Sequence, residues 1–169
     1  MVKGLAGRVS RDEWLMLGGA AILLLLATVP LATKIANVLS WFIPSVEGFR
    51  AHPYWDVSRY SWGYGTRAPG PTGTISREQA FADMQAHLFN DYEIIKPLIH
   101  RSLNANQWAA LLSLAYNAGK GAAFNLVEEI NNYDAPGLEA NWKAYKYADG
   151  LINSTLVARR AKEWALWNT

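Results

Sequence analysis

NANQWAALLSLAYNAG, residues 104–119, decides how the fold is read. Asn104 and Gln107 stand three apart in a capping-box pattern, and Gly119 is a natural helix terminator. Between them the chain is apolar on nearly every side. A helix with no polar face belongs in the middle of a core, so this stretch is expected to be the central core helix. Ser76 and Gln79 repeat the capping signal before AFADMQAHLFNDYEII, a helix interrupted at Pro97. Upstream, NVLSWFIPSVEG predicts a first helix, with Pro44 as a kink or new start and Gly48 near its end. HPYWDVSRYSWGYGTRAPGPTGT, rich in Gly, Pro, aromatics and Ser/Thr, predicts a small antiparallel sheet with tight turns. Short helices are expected in AAFNLVEEINN and LEANWKAYK, and Asn153 or Ser154 caps a last one, TLVARRAKEWALW. The fold class is therefore α+β, mainly helical, with one small sheet near its start.

The 169 residues suffice for one compact domain and a modest appendage. Hydrophobic residues make up 51 % and charged ones 18 %, a globular composition tilted towards apolar. The net charge of +2 is too small for a nucleic-acid partner, which calls for a concentrated basic stripe. With no cysteine, disulfides, thiolate nucleophiles and thiolate–zinc sites are excluded. His52, His87 and His100 form no paired metal pattern, there is no GxSxG, and Gly63 and Gly65 do not precede a phosphate-binding Lys-Ser/Thr. No metal or cofactor is expected. Eight Trp and eight Tyr mostly fill a core, with some free to line a groove where flat rings stack on sugars.

Residues 14–33, WLMLGGAAILLLLATVPLAT, contain no charge. As a helix they would extend about 30 Å, the thickness of a bilayer's hydrocarbon. Lys3, Arg8 and Arg11 precede this stretch and only Lys34 follows it, a bias that leaves the N-terminus in the cytoplasm. The expected organisation is a polar tail over 1–13, one transmembrane signal-anchor helix over 14–36, and a water-soluble domain over 37–169. A cleaved signal peptide is the rival reading, but PLATKIA offers no small-x-small cleavage site. Gly18, Gly19 and the scattered alanines make the span weakly hydrophobic, compatible with later departure from the bilayer.

One carboxylate pair stands out. Glu47 follows an apolar helix turn beside Val46, Gly48 and Phe49, and Asp56 follows Tyr54 and Trp55 at the entrance to the predicted hairpin. A carboxyl group among apolar neighbours loses solvation, which favours the protonated form and suits a general acid. A carboxylate on a polar turn stays ionised, and glycoside hydrolysis needs both. The residues alone leave a plain alternative open, a helix-terminal surface acid and a turn former.

VEGFRAHPYWD…SWGYGT resembles the active-site segment of phage-type lysozymes and endolysins, glycoside hydrolase family 24. LNANQWAALLSLAYNAGKGAAF is similar to the family's central-helix signature, and STLVARRAKEWALW to its closing Arg-Arg-x-x-Glu helix. The three blocks occur in family order and cover nearly all of 40–169. The resemblance implies a lysozyme-like domain that cuts peptidoglycan glycan strands between N-acetylmuramic acid and N-acetylglucosamine, generally with inversion. It implies Glu47 as general acid, Asp56 as the carboxylate that activates or holds water, and Ser61 in place of the usual Thr. The gap from Asp56 to Ser61 is one residue shorter than usual, so Ser58 or Tyr60 could share that role. Tyr64, Gly65 and Asn117 are implied to bind substrate, Arg160 to approach Glu47 from the last helix, and Thr66 to replace a structural His.

The span followed by this domain also resembles endolysins exported by a signal-anchor, without the cysteine that regulates some of them. That implies the bilayer as a partner through 14–36, at the bacterial inner membrane with the domain in the periplasm. A virion component touching other virion proteins is the other location considered. A lytic transglycosylase and an inactive wall-binding or virion structural protein are the competing functions.

Overall fold

The computed structural model describes residues 29–56 and 58–169. The polar tail and most of the expected span, residues 1–28, lie outside the described residues. No helix among the described residues is long and apolar enough to cross a membrane.

Helix α1, Leu31–Glu47, buries Ile35, Leu39, Phe42 and Ile43, a stripe at helical spacing. The structure moves one boundary here. The helix carrying Glu47 begins at Leu31, inside the stretch assigned to the span, and Ile35 is part of the domain core. Pro44 lies within the last turn, and Gly48, at φ 70°, ends the helix. A left-handed backbone at that position favours glycine.

Strands β1 (Arg50–Asp56), β2 (Arg59–Gly63) and β3 (Thr66–Arg67) form an antiparallel sheet in that order. Tyr54 pairs with Ser61, Trp55 with Tyr60 and Asp56 with Arg59, after an irregularity between Arg50 and Tyr54. In β2 and β3, Ser61 pairs with Arg67 and Trp62 with Thr66. Gly63 closes β2 where a Cβ would stand 2.7 Å from the Cβ of Ala80, so only glycine lets the sheet lie this close to the following helix.

That helix, α2 (Arg77–Ile95), starts at Ser76, whose side chain accepts from the Gln79 backbone N–H at 3.1 Å. Gln79 turns to Asp83 instead of reaching back, so half of the predicted box forms. A 3₁₀ turn, Lys96–Leu98, follows at Pro97. Helix α3, Ala105–Ala118, opens with the complete Asn104–Gln107 box and buries eight residues from Trp108 to Ala115. α1, α2, the short α4 (Lys120–Phe124) and the last helix all pack on it, as its apolar circumference predicts. α5 (Val127–Asn132) and α6 (Ala135–Ala144) complete the larger lobe.

A second hairpin, β4 (Tyr147–Ala148) with β5 (Leu151–Ile152), was not anticipated. Its turn is Asp149-Gly150, both at positive φ, the Asp-Gly signal of a tight hairpin. The last helix, α7 (Ser154–Trp167), is capped by Asn153, which accepts from Thr155 and Leu156 N–H. Trp142, Trp164 and Trp167 cluster where α6 meets α7. Trp41 and Trp55 are left exposed.

Candidate active site

Glu47 is the last residue of α1, where the chain turns from helix into sheet, and its side chain is 17 % exposed. Gly65, at φ 92°, backs it so closely that a Cβ there would lie 3.4 Å from Glu47 Oε2. Arg159 Nη1 donates to Glu47 Oε1 at 2.5 Å. This corrects the expectation that Arg160 approaches the acid. Successive helix residues point about 100° apart, and in α7 it is Arg159 that faces α1. Arg160 instead donates to Asn117 Oδ1 at 2.9 Å, at the end of α3.

Both arginines are tied to one buried carboxylate. Glu163 Oε1 accepts from Ser113 Oγ at 2.7 Å, Arg159 Nε at 3.0 Å and Arg160 Nη2 at 2.9 Å. Its Oε2 accepts from Trp142 Nε1 at 3.1 Å and lies 2.9 Å from Arg160 Nε, an ion pair without hydrogen-bond alignment. Burial pushes the Arg160 guanidinium down from its ordinary value, while Glu163 beside it acts in the opposite direction. An unpaired buried charge costs several kcal/mol, roughly 3–5, so this network is maintained as a unit. It holds Arg159 in place, and Arg159 in turn fixes one oxygen of Glu47.

Asp56 ends β1, half-buried, and Ser61 Oγ reaches its Oδ2 at 3.4 Å, a long contact. The structure thus brings Asp56 and Ser61 together despite the shortened spacing. Tyr60 is turned away. It pairs with Trp55 on the opposite face of the hairpin, their rings 5.2 Å apart. Ser58 is exposed beyond Asp56, its N–H bonded to the Asp56 carbonyl.

Tyr54 lies on the Asp56 face, two residues before it and directly opposite Ser61. Its phenol is pushed above the ordinary value of 10.0 by burial first, then by the negative charges of Asp56 and Glu47, against Arg50 and Arg59. Two carboxylates from different elements thus act on one phenol. Tyr116 shares that environment. Burial first and Glu47 second push its hydroxyl far up, and it donates to the Tyr64 carbonyl at 2.9 Å.

The Tyr64 side chain is not a sugar platform. It is 8 % exposed, with its ring packed 5.6 Å from that of Phe49, and its carbonyl accepts the Tyr116 hydroxyl. Gly65 abuts Glu47, and Asn117 is exposed at the end of α3 with its oxygen on Arg160. Thr66, where the family has His, is buried with its hydroxyl unpartnered among the described residues. Sequence reasoning missed Arg159, Tyr54, Tyr116 and Ser113. The i,i+4 spacing of Arg159 and Glu163 was a usable signal for the first; nothing local marked the tyrosines. Among the described residues, no three His, Cys, Asp or Glu side chains gather as a metal-holding group.

Residues 44–163 match the phage lysozyme family. An endolysin from Bacillus phage PZA is 30 % identical over 134 residues, covering 75 % of this chain. The chain spans about half, 52 %, of that relative's length. The muramidase domain of SpmX from Asticaccaulis excentricus has the same fold, with TM-score 0.71 and 24 % identity over 78 % of this chain and 95 % of the other. An endolysin from Escherichia coli O157:H7 phage FAHEc1 superposes with TM-score 0.66 at 23 % identity, covering 83 % of this chain and 94 % of that one.

Proposed function

The chain belongs to the phage lysozyme family, and on that footing we propose that it is a muramidase, hydrolysing the β-1,4 bond between N-acetylmuramic acid and N-acetylglucosamine. Glu47 is the general acid that protonates the glycosidic oxygen. Arg159 orients its carboxyl by holding Oε1, leaving Oε2 towards the Gly65 side. Asp56 is the carboxylate that aligns the attacking water, with the Ser61 hydroxyl limiting its rotation. In an inverting reaction the two carboxyl groups stand about 6.5–9.5 Å apart, with the attacking water between the base carboxylate and the sugar, on the face opposite the acid. Gly65 and Asn117 border the substrate. The observation that carries the reading is the Glu47 carboxyl fixed by Arg159 at the junction of α1 and the sheet, in a chain whose residues 44–163 match the phage lysozyme family.

Glu47→Gln keeps the shape and removes the transferable proton, so turbidity loss on purified peptidoglycan should fall at least about 10²-fold. Unchanged activity in a folded Gln variant would remove Glu47 from its role. Mass spectrometry of the products should show reducing ends; anhydro ends would mean a transglycosylase. The uncharged stretch beginning at Trp14, with its basic N-terminal flank, supports tethering to the inner membrane with the domain on the periplasmic side. Host lysis and local wall penetration by a virion draw on the same chemistry. Fractionation of the full chain with membranes, set beside a chain lacking residues 1–28, tests the tether.

A further inference from the structure

The three-stranded sheet carries charges that hydrolysis itself leaves unused. Directly opposed residues of antiparallel strands share a face, so the pairings Tyr54–Ser61, Asp56–Arg59 and Ser61–Arg67 place all five side chains on one surface. The Ser61–Asp56 contact confirms that placement. Ser61 is buried and Tyr54 and Asp56 half-buried, whereas Arg59 and Arg67 are exposed. The catalytic face of the sheet therefore ends in two solvent-facing guanidiniums beside a single carboxylate.

The structural role that register would suggest, a cross-strand Arg59–Asp56 pair, is not made. Neither Arg59 nor Arg67 forms an ion pair among the described residues. Arg59 nevertheless adjoins the acid, because the strand register sets it directly opposite Asp56, and its charge acts on Tyr54 and Tyr116 as well. Exposed, unpaired arginines add little stability. They are suited to bidentate capture of an anion, which lysine does less well. The amino sugars of a peptidoglycan strand are neutral wherever the lactyl group is amide-linked to a peptide. The nearest anions to a bond held at Asp56 are then the free carboxylates of the stem peptide on the muramic acid.

We propose that Arg59 and Arg67 form a carboxylate-binding rim beside Asp56 that recognises the free acids of peptidoglycan stem peptides. The proposal rests on the muramidase reading and adds a preference within its substrate. Attraction to stem carboxylates draws the peptide-bearing sugar towards Asp56, so the rim acts on KM more than on kcat.

The test uses the full chain on teichoic-acid-free peptidoglycan in two forms, with stem carboxylates free or converted to amides. Release of reducing ends and co-sedimentation with the polymer are both measured. The free-acid form should be preferred about tenfold in kcat/KM, chiefly through KM, as expected for a few charge-assisted hydrogen bonds. Arg59→Gln/Arg67→Gln should treat both forms alike, and Arg59→Lys/Arg67→Lys should keep part of the preference. Cleavage without preference in the wild-type chain, or preference surviving in the Gln pair, overturns the rim. Preferential sedimentation without cleavage would retain the rim and sink the hydrolase. If the Gln pair fails to fold, the single Arg59→Gln and Arg67→Gln chains decide: each should lose part of the preference, and a preference undiminished in both overturns the rim.

Discussion

The buried network around Glu163 and the open face of the β1–β2 hairpin contribute to one site in opposite ways. In the first, Glu163, Arg159, Arg160 and Ser113 are almost wholly buried, and the carboxylate accepts four hydrogen bonds. In the second, Asp56 is half-exposed, and among the described residues its side chain has one hydrogen-bond approach, that of Ser61 at 3.4 Å. Under the proposed mechanism the difference matches two tasks. A proton donor works from one geometry, and Glu47 is held through Arg159 by the packed helices. A carboxylate that handles water and sugar must remain accessible, and Asp56 sits half-exposed at a strand end.

The largest effect that would test this contrast comes from the network. Glu163→Ala leaves two buried guanidiniums without their anion and should cost about 3–5 kcal/mol. The midpoint of urea unfolding measures it, and a loss of under about 1 kcal/mol would show that the helices do not depend on the cluster. Asp56→Asn should do the reverse. Activity should drop about 10²-fold or more, equivalent to roughly 2.7 kcal/mol of barrier, while stability stays within about 0.5 kcal/mol. A large stability loss there would make the hairpin acid structural after all.

Gly65→Ala links the two regions, since the new methyl meets Glu47 Oε2 at 3.4 Å on a backbone at φ 92°. We expect a loss of about 1–3 kcal/mol, with kcat falling more than KM rises. Ser61→Ala removes the long contact to Asp56, and about 1 kcal/mol or a few-fold in rate is the expected scale.

Tyr116 gives an effect of the same small size and adds a pH signature. Its folded-state hydroxyl titrates above the ordinary value of 10.0. The native state therefore keeps a proton that the unfolded chain gives up. The stabilisation is complete below about pH 10 and is lost as pH rises through the folded value. Tyr116→Phe should cost about 1 kcal/mol at neutral pH, through the lost bond to the Tyr64 carbonyl. Its unfolding curve should then fall less steeply above pH 10 than that of the wild type; parallel curves would contradict the linkage.

Much of the architecture was legible in the chain because its signals are local. The Asn104–Gln107 box, the Ser76 cap, the stop at Gly48 and the Pro97 break all lie where expected, since each depends on hydrogen bonds or backbone angles within a few residues. The hairpin at Asp149-Gly150 rests on an equally local signal, an Asp-Gly turn at positive φ. The start of α1 was misplaced for a different reason. An apolar run entering a domain resembles one entering a bilayer until Ile35 is seen to be covered by the core.

Sequence alone determined the central helix, most of the helix caps and the small sheet, because short-range backbone geometry and adjacent side-chain chemistry suffice for those. Glu47, Asp56 and Ser61 stood out as a set only through the resemblance of three sequence blocks to one family. Only the tertiary structure decided that Arg159, not Arg160, meets Glu47, that Tyr64 is packed away, and that Tyr54 lies between the two acids' fields. Those outcomes depend on how α7 is rotated against α1 and on how the sheet lies against α2. Such rotations are set by side chains more than a hundred positions apart in sequence, as Glu47 and Arg159 are.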